Sequence, residues 1–346
     1  MQITFLVGNG FDLGAGLKTS YKDFCKWYIE QESGSEVIKK FKTDISKDLE
    51  AWADVEIELG QYTAEFSEKE TDDFLDCLED MRKCLTEYLK QQVKSFPSQN
   101  FTDSDVQFMR KGVLNFYKEL KPSERNAFDT MRSENRGFDT RMKFISFNYT
   151  DCLDRFVEQV SAKPLEEWND GTSRKFEVLP EVLHVHGKED FYPILGVGEE
   201  KNIANKQMLE VPGFRQAMIK LSSVTYLGQP WYNQTVAEIQ KSKILCIMGM
   251  SLGESDSHWW KKIIEWLVSD GSKHLIIFWH SKKPLDTISI TANFRQENGV
   301  REKLLQYAEG VCSKNNQERI RERIHIVFNT KSVLKIPVVK KELATV

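Results

Sequence analysis

The chain has 346 residues, 40% of them hydrophobic and 29% charged, with a formal net charge of −4 and a pI near 6.0. That length suits one large domain or two with an ample core, and the composition excludes a disordered chain. A mildly acidic whole has no general attraction for nucleic acid or an anionic bilayer, and no apolar run nears the ~20 residues needed to span one, so neither partner is expected.

Ile3 to Val7 is a short apolar, partly β-branched run that reads as a strand buried on both faces. It runs directly into Gly8-Asn9-Gly10-Phe11-Asp12, where glycine allows a sharp turn and a close backbone approach to a ligand. A strand ending in a glycine turn commonly opens a nucleotide crevice, and it also serves as a plain tight βα connection. The dinucleotide fingerprint is not met: Leu13 sits where the third glycine belongs, Gly14 comes one place late, and no acidic residue ends a plausible second strand about 20 residues on. Asp12 would repel a pyrophosphate and better suits a ribose hydroxyl or a polar catalytic network.

Helical spacing follows over 17–35, where Leu17, Tyr21, Phe24, Trp27 and Tyr28 share a face, then over about 50–66 and 70–95. Residues 96–103 read as a loop and 104–135 as mostly helical. The stretch 17–139 is therefore expected as a helical cap inserted after the first strand. The basic clusters Lys39-Lys40-Phe41-Lys42 and Arg319 to Arg323 are mixed with acids and read as solvated helix faces.

Sheet character resumes with strands at Lys143 to Phe147, Val182 to Val185, Tyr192 to Val197, Lys243 to Met248, Leu275 to Trp279 and His325 to Phe328. Helices are expected after Thr150 through Phe156, around 203–241, over 256–268 and near 300–310. This alternation predicts an α/β, Rossmann-like, mostly parallel sheet with helices on both faces. Residues 1–16 and 140–330 would form the nucleotide-binding core and 331–346 a peripheral tail. Six cysteines (25, 77, 84, 152, 246 and 312) without a CxxC pair read as reduced thiols of a cytoplasmic protein. An N-terminus without a basic flank, with Asn9 and Asp12 in its apolar stretch, does not read as a signal peptide.

Four polar motifs follow predicted strands: Gly8-Asn9-Gly10-Phe11-Asp12, Phe147-Asn148-Tyr149-Thr150, His184-Val185-His186-Gly187 and Gly249-Met250-Ser251-Leu252. In an open parallel sheet all strand C-termini face one edge, so these motifs would converge on one crevice. Each residue also has a plainer reading. His184 alternates with His186 and points to the opposite face, as a structural residue. Asn148 is also a good helix cap. Trp52 and Glu56 lie one turn apart and suit packing of the cap. His258 belongs to an aromatic core stripe, and Asp256 is most simply an N-terminal helix residue. Ser251 lacks a Gly-x-Ser-x-Gly elbow, which argues against a serine hydrolase.

The opening GNGFDLGAGLKTSYKDF, the stretch Trp52-x-Asp54-x-Glu56-x-x-Leu59-Gly60, FNYT, HVHG and GMSLGESD resemble, in order, the AbiH family of bacterial phage abortive-infection proteins. That family is similar to sirtuin-type folds, and the resemblance implies an NAD-handling site in phage defence. By position, Asn148 resembles the asparagine that positions ribose and water. His186 resembles the catalytic histidine before a glycine, here Gly187. Gly8, Asn9, Gly10 and Phe11 resemble the pyrophosphate turn, Gly249, Ser251 and Leu252 the far ribose loop, and Asp23-Phe24 the pair beside nicotinamide. Asp12, Thr150 and Met250 depart from the usual pattern. No zinc-binding cysteine quartet is present, so sirtuin-type protein deacylation is not implied.

Cleavage of a nicotinamide–ribose bond passes through an oxocarbenium-like state and expels a neutral leaving group. It needs a base near neutrality, a held water and fixed negative dipoles, which His186, Asn148 and Asp12 or Glu56 would supply. The sequence therefore predicts a hydrolase acting on the N-glycosidic bond of NAD or a related nucleotide, with NAD as substrate or ligand, no tightly bound cofactor and no metal. A homo-oligomer or a phage-derived trigger would be its other partners. The alternative is a nucleotide-sensing module that binds without turnover and signals through its cap.

Overall fold

The sheet grows outward from its first strand. A computed structural model describes the chain except for residues 97–100, 135–138, 170–171, 189–192, 229, 284, 286–287 and 338–346. Its strands are β1 (Gln2–Val7), β2 (Thr140–Ser146), β3 (Leu165–Asn169), β4 (Thr172–His184), β5 (Ile244–Met248), β6 (His274–Trp279) and β7 (Ile324–Phe328), in the spatial order β3-β4-β2-β1-β5-β6-β7. All pairings are parallel except the β3–β4 hairpin at one edge. The order runs one way from β1 to β2 and β4, and the other way through β5, β6 and β7. It therefore reverses between β1 and β5, the place where ligands bind in open α/β sheets. The chain is thus an α/β protein with a Rossmann-like sheet, as its alternation of elements predicts.

Alternation along each strand feeds two cores. Ile3, Phe5 and Val7 face a cluster with Phe144 and Cys246, while Leu6 faces one with Ile145, Ile247 and Ile277. That two-sided burial is why these strands read as nearly unbroken apolar runs.

Among the described residues seven α-helices lie between β1 and β2: α1 (Gly10–Gly14), α2 (Tyr21–Tyr28), α3 (Glu36–Lys47), α4 (Val55–Tyr62), α5 (Thr71–Val93), α6 (Asp103–Leu114) and α7 (Pro122–Glu134). This stretch, expected as one cap, divides by its packing. Residues of α2 to α5 form their own core with Leu195, Val197, Phe214 and Met218 from beyond β4, whereas Met109, Val113, Phe116 and Phe128 cover a face of the sheet. Then come α8 (Cys152–Ser161), α9 (Phe214–Met218), α10 (Lys220–Leu227), α11 (Trp231–Lys241), α12 (Ser257–Ser269), α13 (Ile290–Leu305) and α14 (Lys314–Arg321).

Three expectations change. No strand covers Pro193 to Val197 (Tyr192 lies outside the described residues); Val197 makes only an isolated bridge to Ile219. The apolar run there serves the cap core instead, and Arg82 Nη2 takes the Leu195 carbonyl at 2.8 Å. The β3–β4 hairpin escaped the sequence reading because a polar edge hairpin carries little hydrophobic pattern. The tail is not peripheral over 331–337, since Val333, Leu334 and Ile336 are buried in the sheet-face core. Glu119 anchors it by accepting from the Lys331 and Ser332 amides at 3.1 and 3.0 Å. The rest of that tail, 338–346, lies outside the described residues. None of the six cysteines is disulfide-bonded, and five are buried.

Candidate functional site

The C-terminal ends of the strands open into a groove with a cavity volume of about 810 Å³. Gly8, Asn9, Gly10 and Asp12 after β1, Asn148 and Thr150 after β2, His186 after β4, and Gly249 and Ser251 after β5 all line it. The four strand-end motifs thus meet at one rim. Phe11, Asp23, Phe24, Gly187 and Leu252 do not line it. Phe11 and Phe24 are core residues, Leu252 is buried against α12, and Asp23 accepts from Ser20 Oγ at 2.5 Å in the cap of α2.

The glycines hold two loops together. Gly8 N donates to Met248 O at 2.9 Å and Gly10 N to Gly249 O at 2.8 Å, so the β1 and β5 loops are bonded to each other. A Cβ on Gly10 would lie 2.5 Å from Gly249 Cα, and one on Gly8 2.7 Å from Gly249 O. Close contact between two loops requires glycine here. Asn9 is likewise engaged, clamping Thr19 through its Nδ2 and Oδ1.

Asp12 is fully buried and accepts from Asn148 Nδ2 at 3.1 Å and Thr150 Oγ1 at 2.6 Å. Burial pushes its carboxyl up to about 7, against the pull of those two bonds. With Asp12 as the acceptor, the end of the Asn148 amide that faces it is nitrogen. The other end, Oδ1, is buried without a hydrogen-bond partner. Such an atom is costly unless a ligand or water satisfies it.

His186 stands beside it, 4% exposed, with the edge of Phe147 on one side and the Tyr149 ring 6.0 Å away. Its Nε2 lies 3.0 Å from Asp256 Oδ1, which is ion-pair distance, yet the direction fails hydrogen-bond geometry and Nε2 counts among the unpartnered buried atoms. Asp256 sits at the N-cap of α12, as expected, but its carboxylate turns into the site. Burial opposes its charge, while Lys220 and His186 hold it well below the usual carboxylate range. Lys220 Nζ bridges Asp256 at 3.0 Å and Glu56 at 2.8 Å. Although burial disfavours the ammonium, those two acids raise its pKa above that of a free lysine. Glu56 also accepts from the Tyr21 and Tyr149 hydroxyls, each at 3.1 Å. A chain of polar contacts, Glu56–Lys220–Asp256–His186, thus runs from α4 to just past the end of β4.

The chain belongs to the AbiH family. The family model described as "Bacteriophage abortive infection AbiH" matches residues 4–278, most of the 346-residue chain. No curated protein matches it. Of the segments that resemble the family, the opening turn, the Trp52–Gly60 stretch, FNYT, HVHG and GMSLGESD all fall within the matched span, and each supplies a groove residue, the Trp52–Gly60 stretch through Ala53, Asp54 and Glu56. Trp52 packs against Phe41 in the cap core, while Glu56, one turn on, enters the chain of polar contacts.

Sequence reasoning missed Lys220, Tyr149, Tyr21 and the role of Asp256. GESD ending a family-like segment was the one available signal for Asp256; Lys220 carries none. His184 is structural, with Nε2 2.8 Å from Asp154 Oδ2 on α8. Among the described residues no group of three or more His, Cys, Asp or Glu is arranged to hold a metal, and no helix is long and apolar enough to cross a membrane.

Proposed function

We propose that this AbiH-family protein acts in phage abortive infection by hydrolysing the N-glycosidic bond of NAD or a closely related nucleotide. One observation carries the reading: Asn148 Oδ1, buried without a hydrogen-bond partner, and the buried His186 imidazole, paired with Asp256 at 3.0 Å, belong to neighbouring strand ends that line the same groove. In the proposed reaction the C1′–N bond breaks and its electron pair leaves with neutral nicotinamide. Asn148 Oδ1 accepts a hydrogen bond from the attacking water, and His186 takes the proton as the new C1′–O bond forms. Asp256 stabilises the imidazolium, and Asp12 holds the Asn148 amide in register. NAD⁺ and water give ADP-ribose, nicotinamide and a proton, which returns from His186 to solvent.

Nicotinamide release by the intact protein, His186→Ala and Asn148→Ala tests this. Loss in both variants is expected; equal release by all three removes these residues from the mechanism. A second reading, a sensor without turnover, draws support from the chain of polar contacts, since a ligand at His186 would disturb Asp256, Lys220 and the cap residue Glu56 together. Tight nucleotide binding with no product after long incubation at high protein concentration favours it.

A further inference from the structure

The groove does not end at the sites used above. It continues past the β1–β5 crossover to the ends of β6 and β7, where Trp279, His280, Lys303, Asn329, Thr330 and Lys335 line it. From β4 to β7 it crosses five strand spacings, about 24 Å at ~4.8 Å each, a span on the scale of a dinucleotide and well beyond a single nucleoside. The charge changes sign along this length. Asp12, Asp54, Glu56 and Asp256 line the end near His186, whereas the far end presents Lys303 and Lys335. Neither ammonium has a carboxylate partner among the described residues, in contrast to the doubly paired Lys220. Lys303 Nζ instead lies 5.4 Å from the centre of the Trp279 ring. The walls here are fixed. Asn329 bonds both backbone groups of Ser281, at 2.9 and 3.0 Å, and Thr330 Oγ1 donates to Glu119 at 2.9 Å. The six groove-lining residues of this end, Trp279 to Lys335, lie beyond the span matched by the family model, which ends at 278.

We infer that the far end of the groove is a phosphate-monoester subsite, so that this chain prefers a dinucleotide phosphorylated on its distal ribose to the same dinucleotide without that group. Lys303 and Lys335 bind the dianion, and Trp279 offers an aromatic surface to the adjoining base. Unpaired ammonium groups on fixed walls are suited to a phosphate as point charges, and each charge-assisted contact adds affinity that an uncharged hydroxyl cannot provide. This inference rests on the reading of the groove as a dinucleotide site.

Calorimetric titration of the full chain with NAD⁺ and with NADP⁺ tests it. NADP⁺ is expected to bind about tenfold more tightly, a preference that weakens as salt is raised. Lys303→Gln combined with Lys335→Gln should erase the preference and leave NAD⁺ affinity unchanged. The exposed Lys303→Gln alone should reduce it, which keeps the test decisive if the double variant fails to fold. Equal affinities for the two dinucleotides, or a preference that survives both substitutions, overturns the subsite while the dinucleotide reading stands. Failure of both dinucleotides to bind overturns both readings, whereas binding of NAD⁺ alone overturns the subsite only.

Discussion

Opposite ends of the same sheet each hold buried histidine against carboxylate, and they differ in how fully the polar atoms are satisfied. At the N-terminal ends of β6 and β7, His274 Nδ1 lies 3.0 Å from His325 Nε2, and His325 Nδ1 lies 3.2 Å from Glu124 on α7. Phe128 packs on both rings at 5.5 Å. Burial opposes the Glu124 charge, but His325 holds its carboxyl below the usual range. Every contact there closes on another protein group. At the C-terminal rim the ingredients are the same, yet Asn148 Oδ1 is left without a hydrogen-bond partner and the groove it lines with His186 is open. A perturbed titratable cluster occurs at both ends, so perturbation alone does not mark a site. The proposed site is set apart by an unsatisfied atom beside a cavity.

The largest effects should separate the two ends cleanly. His186→Gln should lower nicotinamide release by about 10²–10⁴-fold with little change in the urea midpoint. His325→Gln should do the reverse, leaving release intact and costing about 2–3 kcal/mol of stability through the lost packing and the abandoned Glu124. Equal loss of activity in both variants would erase the contrast. Next in size is Gly10→Ala, where the new methyl meets the Gly249 backbone and should cost about 1–3 kcal/mol by urea denaturation. Wild-type stability in that variant would show that the two loops separate easily.

The subtlest contrast is in pH. The Asp12 pKa is raised by burial from 3.8 to about 7, so its contribution to stability is complete below pH 3.8 and is lost as pH rises through 7. The His274 pKa is lowered from 6.5 to about 4, first by burial and then by His325 and Arg323. Its contribution is complete above pH 6.5 and is lost as pH falls through 4. Between pH 4 and 6.5 the two slopes therefore oppose each other. Melting temperature over that window should climb more steeply with pH in Asp12→Asn than in the parent chain, and should turn downward in His274→Gln. Identical profiles for the two variants would break the comparison.

Much of the fold was legible because its signals are local. Apolar runs such as Lys243 to Met248 identified central strands, and the polar tetrads behind them identified the rim. The exceptions share a physical cause. The hairpin at 165–184 is held by edge pairing that needs little hydrophobic pattern, and the run after Pro193 spends its apolar residues on the cap core. In the groove, the places of Asn148 and His186 were legible because each lies two residues after a strand, and that of Asp12 because it sits in the short helix right behind β1. Lys220 was not, since nothing near it in sequence shows that it will be buried between Glu56 and Asp256.

The sequence by itself determined the alternation of strands and helices, the strand-end position of the polar motifs and membership of the AbiH family. Each of these is written in neighbouring residues or in a pattern of short motifs. Only the tertiary structure decided which polar atoms are satisfied, why Gly8 and Gly10 must be glycine, and where the groove changes charge. Those properties arise when segments far apart in the chain exclude water together, and burial and partner geometry, which no local run of residues encodes, then set the cost of each charge and each missing hydrogen bond.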